Sequence, residues 1–410
     1  MTATTTPPPS DPATPSTPVV RRRRNVGAIV ATVAVVIIVG ATLGVGYEQG
    51  WFGKSSPTKS TTCGPGTELQ GDGAQFVTPL VTTWESNFQS QTGNLVNYPS
   101  SGSGTGLTHF TDKELDFAIT DNPLSSSEVA SLPGQALTLP VVGGALAIVY
   151  NLAGISGHLN LSGNVIAGIY LGTITTWNNP AIASLNPGVS LPSATIVTVH
   201  RSGSAGTSYV LTDFLTQDNA TWATQVGKSL SPSWPAAPDQ TAASSNSVLL
   251  TTVEMTPNSI GYSDLTDVLA SGSSSLEYAA IQNPAHNYIV PTVANTVSAI
   301  DDKYASLTKL PTSTGSWYNV SMVNANGTGD YPLATFAYMY VYQATNIGFE
   351  PSLEKSQVLL QWVDWVLTTG QTYTNAGEEF YAALPAGIIA VDQAGIATMT
   401  YNGAAIPTCS

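Results

Sequence analysis

An α/β fold in two domains is predicted, and three observations carry the prediction. The chain has 410 residues, more than one ordinary domain needs, so two cores are expected. Short β-branched or apolar runs alternate with stretches of helical periodicity, the pattern of strands joined through helices. The junctions between them are built of small, hydroxyl-bearing residues. In an α/β sheet the loops that follow the strands gather at one edge, where such folds bind ligands.

The folded part is preceded by a membrane-targeting segment. Residues 1–24 are rich in Thr, Pro and Ser and end in four arginines at 21–24, which reads as a disordered cytoplasmic tail. An uncharged apolar stretch at 26–45 follows, long enough to span a bilayer, and 25–46 is assigned as a transmembrane signal-anchor helix, a cleaved signal peptide being the competing reading. The arginine cluster holds the N-terminus in the cytoplasm. The expectation is a single-pass protein of the cell membrane, with 47–62 as a stalk and the folded domain extracellular. Cys63 and Cys409 are the two cysteines. On the oxidising side of a membrane they are expected to form one disulfide tying the termini together, a pair of free thiols being the alternative.

Charge and histidine content exclude several function classes. From Tyr47 onward eight basic residues stand against twenty-five acidic ones, so nucleic acid is not an expected partner. Any anion site must then be made locally, from backbone N–H groups and one well-placed cation. His109, His158, His200 and His286 are scattered without ligand spacing, and neither a metal nor a cofactor is expected.

Taken in order, Gly71 and Gly73 read as a glycine-rich loop entering a helix that carries Val77, Leu80, Val81, Trp84 and Phe88, with Pro79 in its first turn. A strand at 94–98 leads into the small-residue loop 100–106 and a helix through Leu107 and Phe110. A second strand, 115–119, ends at Asp121, after which Ser125 and Glu128 form a capping box. The apolar run 140–150 is a strand buried on both faces and crosses into the second domain. A helix at 164–171, a turn at Trp177 and a break at Pro187-Gly188 precede the β-branched run 195–199. The stretch from His200 to Ser208 then ends a strand and opens a helix over 210–215. Helix 247–253 and a turn into a strand at Ile260 follow. Residues 284–329, rich in Asn, Ser, Thr and Gly, give no assignable element. Strand 334–342 returns to the first domain, with Tyr338, Tyr340 and Tyr342 as packing residues, and a helix through Trp362 ends near Gly370.

Arg201 is the one arginine beyond the N-terminal tail. A planar fork at a helix start, among small residues, points to an oxyanion, whereas the ordinary reading of a lone arginine is a surface ion pair. Asp121 narrows the choice. An ionised carboxylate only accepts hydrogen bonds, so beside a bound anion it fits one that carries a proton. Monohydrogen and dihydrogen phosphate do; sulfate at neutral pH does not, and two acceptors facing each other in a dry site are strongly disfavoured.

The motifs resemble the periplasmic-type phosphate-binding proteins of ABC phosphate importers. The resemblance runs in order through Gly71-x-Gly73-Ala74-x-Phe76, Val96-Asn97-Tyr98, Gly102-Ser103-Gly104-x-Gly106, Asp116-Phe117-Ala118-x-x-Asp121-x-Pro123-Leu124, Arg201-Ser202 with Gly206-Thr207-Ser208, and Thr256-Pro257-x-Ser259-Ile260-Gly261-Tyr262. It implies a two-lobed, type II periplasmic-binding-protein fold with the ligand cleft between lobes: lobe 1 from 63–142 and 329–410, lobe 2 from 143–328. It also implies the site. Phe76 offers a backbone N–H, Ser103 a hydroxyl and N–H, Asp121 the acceptor, Arg201 the charged fork, and Gly206 and Thr207 donors from a helix start. Gln75 replaces a ligand threonine, Gly203 stands where the family has an aspartate that steadies the arginine, and Ala205 replaces a ligand serine. The implied function is a non-catalytic, monomeric receptor that binds inorganic phosphate and delivers it to an ABC permease. Two other classes compete. A phosphatase or hydrolase is disfavoured because Ser103 and Ser204 lie outside a G-x-S-x-G elbow. A surface protein that has lost its ligand draws support from Gly203 and Ala205.

Overall fold

The computed structural model describes residues 63–409 other than 156, 274 and 376–379. The tail, the anchor at 25–46 and the stalk lie outside the described residues, among which no helix is long and apolar enough to cross a membrane. Strands β1 (Glu68–Gly73), β2 (Leu95–Asn97), β3 (Phe117–Thr120), β4 (Ala136–Asn151), β5 (Asn160–Leu161), β6 (Val197–Arg201), β7 (Gln240–Ala243), β8 (Ser259–Asp264), β9 (Glu277–Tyr278), β10 (Ala280–Gln282), β11 (Tyr288–Ile289) and β12 (Ala334–Tyr342) build two sheets. The larger has the order β2-β1-β3-β12-β4-β8-β6-β7, with β9 also on β4; β11, β10 and β5 form the smaller.

β4 is the strand that joins the two halves. Its first part, residues 136–145, pairs antiparallel with β12, and its second, 146–151, pairs antiparallel with β8. Every residue of β4 but the last is buried, which is why the sequence reads as one continuous apolar run. Strand directions follow from the pairings. β3 is antiparallel to β12 and β1 is parallel to β3, so both run the same way as β4. β8 opposes β4, and β6 is parallel to β8. The C-terminal ends of β1 and β3 therefore point at those of β6 and β8, meeting over the middle of β4. Loops that other α/β folds gather at one edge face one another here from two sides.

The buried apolar residues divide accordingly. One cluster holds Leu69 to Val142 of the early chain with β12 and the C-terminal helices; the other runs from Ala145 to Ile281 and ends with Val323, Tyr331 and Leu333. The division departs from a continuous second lobe at 143–328. Helix Val293–Ser306 packs Ala299 and Ile300 into the first cluster, as do Trp317, Met322 and Ala325. That helix lies in the stretch without an assignable element; it buries Thr296, Ala299 and Ile300 and packs Val297 and Tyr304 against the same cluster. The glycine-rich segment at 71–73 is also strand rather than loop: a Cβ on Gly71 would overlap the Phe117 ring, and one on Gly73 would overlap the Ile119 carbonyl. Glycine is there for close approach within the sheet.

Cys63 and Cys409 form a disulfide with Cα atoms 5.2 Å apart, 346 residues apart in sequence. A closure this long restricts the unfolded chain. Reduction, or Cys409→Ser, is expected to cost about 2–4 kcal/mol, seen as a lower thermal unfolding midpoint; an unchanged midpoint would remove the disulfide from the account of stability.

Candidate functional site

Three helix starts meet above the middle of β4. Thr78–Thr92, Ser103–Thr111 and Gly206–Asp218 each begin without a side-chain cap, so their first N–H groups can face an anion. By contrast, Ser125, Ser162, Ser245, Thr292 and Ser352 cap their helices through the side chain. The meeting is close. Asp121 donates its N–H to Ser103 Oγ at 3.4 Å, and a Cβ on Gly206 would overlap the Asp121 carboxylate. One on Gly104 would overlap Ser204. Gln75 Oε1, from the opposite half, accepts from Arg201 Nη1 at 3.2 Å and from the Asn246 N–H at 3.0 Å. The Phe76 ring lies over Gly144 and edge-on to Tyr381, whose hydroxyl donates to the Phe76 carbonyl at 2.7 Å. That contact fixes the backbone at the first helix start. The structure thus brings Gln75, Ser103, Asp121, Arg201, Gly206 and Thr207 together, with Phe76 beside them.

Arg201, the last residue of β6, is 4% exposed. Its N–H donates to the Tyr262 hydroxyl at 3.0 Å and its carbonyl accepts from Trp234 Nε1 at 3.1 Å, which fixes the backbone. Nη2 donates to the Ser244 carbonyl at 3.1 Å and Nη1 to Asn246 Oδ1 as well as Gln75. Among the described residues Nε has no partner. Burial lowers its pKa, opposed by Tyr262, Asp264 and Asp121, so it remains a cation. Asp121 is 2% exposed with Oδ1 unpartnered. Burial pushes its carboxyl up to about 7, the field of Arg201 acting against that rise. A buried donor and a buried acceptor, close enough to feel each other's charge, both lack a partner among the described residues. Each is costly alone, and a protonated oxyanion satisfies both. Among the described residues no group of three or more His, Cys, Asp or Glu side chains gathers to hold a metal.

A family model for the PBP superfamily domain matches residues 54–369. The phosphate-binding protein PstS of Xylella fastidiosa is 31% identical over 323 residues, 78% of this chain and 83% of its own. That of Pasteurella multocida is 31% identical over 327 residues, 80% of this chain and 89% of its own. This chain belongs to the PstS phosphate-binding protein family. A solved phosphate-binding protein from Stenotrophomonas maltophilia has the same fold, with a TM-score of 0.63 at 20% identity over 84% of this chain and 98% of that one.

Within that family the three departures occupy distinct surroundings. Gly203 is exposed, and a Cβ there meets nothing within 4 Å. Ala205 is buried and begins its helix without a capping hydroxyl. Gln75 turns its carbonyl onto Arg201 and Asn246. Four residues at or behind the site escape sequence reasoning. Asn246 Oδ1 accepts from Thr207 Oγ1 at 3.2 Å, and its Nδ2 donates to Asp264 Oδ2 at 2.7 Å. Asp72 accepts from the N–H groups of Gly73 and Ser101, at 2.7 and 2.8 Å, takes the Ser101 hydroxyl and lies 3.0 Å from His109 Nδ1. It pins the loop before Ser103 to β1. Tyr340 is buried like Tyr338 and Tyr342, but its hydroxyl also accepts from Leu124 N–H at 3.1 Å and donates to the Asn122 carbonyl at 3.3 Å. It holds the turn that carries Asp121. Asp72 sits inside the Gly71-x-Gly73 motif and was findable there; Tyr340 gives no signal beyond its alternation.

Burial raises several carboxyls besides Asp121: Glu85 to about 7, Asp116 to about 6, and Asp264 and Asp392 well above the usual range. The folded protein keeps protons on these groups that the unfolded chain, with carboxyl pKa values near 4, has released. Stability is then fully present below about pH 4 and declines as pH rises through about 7. His200 and Lys303, both lowered by burial, contribute the opposite slope, against a larger set of raised carboxyls. The protein without phosphate is expected to unfold at a higher temperature at about pH 5 than at about pH 8 in scanning calorimetry; the reverse order would contradict the buried-acid assignment.

Proposed function

We propose that this protein is a membrane-tethered extracytoplasmic receptor that holds inorganic phosphate between its two halves and delivers it to an ABC importer. The observation that carries the reading is the pair of unpartnered, buried groups at the three helix starts, Arg201 Nε and Asp121 Oδ1, in a chain of the PstS family. Arg201 supplies the positive charge, and Ser103, Thr207 and the N–H groups at Phe76 and Gly206 supply donors. Asp121 and phosphate share one proton, which either partner can bring: a neutral Asp121 with monohydrogen phosphate and an ionised Asp121 with dihydrogen phosphate are the same complex. Burial that holds Asp121 near 7 makes the two routes comparable at neutral pH. The tether is the apolar stretch at 26–45, placed so that the folded part lies outside the cytoplasm. Equilibrium dialysis of the full-length protein in detergent against radiolabelled phosphate tests the reading. Retention of one phosphate per chain is the expected result; no retention overturns it.

A further inference from the structure

Arg201 is held by neutral acceptors. Its guanidinium donates to the Gln75 and Asn246 side-chain carbonyls and to the Ser244 backbone, and among the described residues it forms no ion pair. At 203, two residues on, glycine offers nothing to hold it. We infer that Asn246, anchored by Asp264, is the residue that positions the Arg201 fork for the anion, an inference that rests on the phosphate reading above.

Asn246 Oδ1 lies between two groups of the site, accepting from Arg201 Nη1 and from Thr207 Oγ1. One oxygen thereby aligns the cation and the hydroxyl at the helix start. Which end of the amide faces them is fixed by the guanidinium. Arg201 only donates, so the amide oxygen must face it, and Nδ2 then turns to Asp264 Oδ2, which accepts it at 2.7 Å. Turned the other way, the amide NH₂ would oppose the guanidinium and oxygen would face oxygen. Asn246 is 4% exposed and Asp264 is 1% exposed, so water competes little for either bond. Capping does not explain the side chain, because Ser245 already accepts from the Val248 N–H at the start of helix Asn246–Met255. An amide in this place also differs from a carboxylate: it steadies the arginine without neutralising it, and leaves its charge to the ligand.

The test uses the full-length protein in detergent and two readouts: phosphate affinity by calorimetry, and arginine-selective NMR of the guanidinium without ligand. Arg201 is the one arginine outside residues 21–24, so its signals are separable. Asn246→Ala is expected to weaken phosphate binding about 10- to 100-fold, the loss of one hydrogen bond to a charged group. It should also collapse the Arg201 Nη signals from resolved to averaged. The exchange N246D/D264N keeps side-chain volume and an acceptor toward Arg201, and reverses the bond behind it, the new amide at 264 donating to the new carboxylate at 246. It is expected to restore the resolved signals even if Asn246→Ala fails to fold. Phosphate affinity and Arg201 signals in Asn246→Ala indistinguishable from the parent would overturn the inference. So would averaged signals in the exchange variant. Absence of phosphate binding in the parent protein would overturn the receptor reading instead, while the ligand-free Arg201 signals would still decide the role of Asn246.

Discussion

Arg201→Ala is expected to lower phosphate affinity by at least 100-fold. The guanidinium is the only side-chain cation at the site among the described residues, and an anion bound there accepts from it through charge-assisted bonds worth about 1.5–3 kcal/mol each. Two such bonds set the scale. Removal also leaves Asp121 and Asp264, whose charged forms Arg201 favours, without that support. Both carboxyls move further up, and the site loses charge and geometry together. Arg201→Lys keeps the charge but not the fork, and reaches fewer of the acceptors at Gln75, Ser244 and Asn246, so it should fall between the parent and the alanine variant. Calorimetric titration of the three proteins with phosphate reads the order. Parent-like binding by Arg201→Ala would place the anion elsewhere.

Asp121→Asn is expected to change which anion binds. In the parent, an ionised Asp121 meets sulfate oxygen to oxygen, and because the attraction of Arg201 is common to both anions, that buried mismatch is what separates them. An asparagine brings an N–H donor to the same position. Sulfate should then bind while phosphate, deprived of its acceptor for the shared proton, weakens. A corollary concerns pH. Because the Asp121 carboxyl stands at about 7, it is protonated in mild acid and can itself donate. Exclusion of sulfate should be firm at about pH 8 and fade as the pH falls through about 7 toward 5. Sulfate competition against bound phosphate across that range, in parent and Asp121→Asn, measures both effects. Equal rejection of sulfate by the two proteins would remove Asp121 from the selectivity.

Much of the site was legible because its residues stand at strand-to-helix junctions. Arg201 to Thr207 declares itself through a β-branched run, a cluster of small residues and an apolar helix face, and Ser103 and Asp121 follow the same grammar. What joins them, and what stands behind them, was not legible. Asn246 reads as an ordinary residue at a helix start and Asp264 as the polar end of a strand. Asn246 meets Arg201 because β7 runs beside β6 with Ala243 opposite Arg201, and Asp264 because β8 runs beside β6 on its other side, pairings that sequence periodicity does not encode. Gly71 and Gly73 misled in the other direction. Their low strand propensity suggests a loop, yet the Phe117 ring and the Ile119 carbonyl occupy the space that side chains would fill. The helix Val293–Ser306 does carry Val293, Val297, Ile300 and Tyr304 at helical spacing, a signal passed over because the surrounding stretch is rich in Asn, Ser, Thr and Gly.

The cleft is expected to take an oxyanion that carries a proton and to refuse one that does not. Calorimetric titration of the full-length protein with phosphate and, separately, sulfate at about pH 8 tests that selectivity most directly, since there the carboxyl of Asp121 is ionised. Heat of binding is expected with phosphate and none with sulfate. Comparable binding of both anions would contradict that expectation.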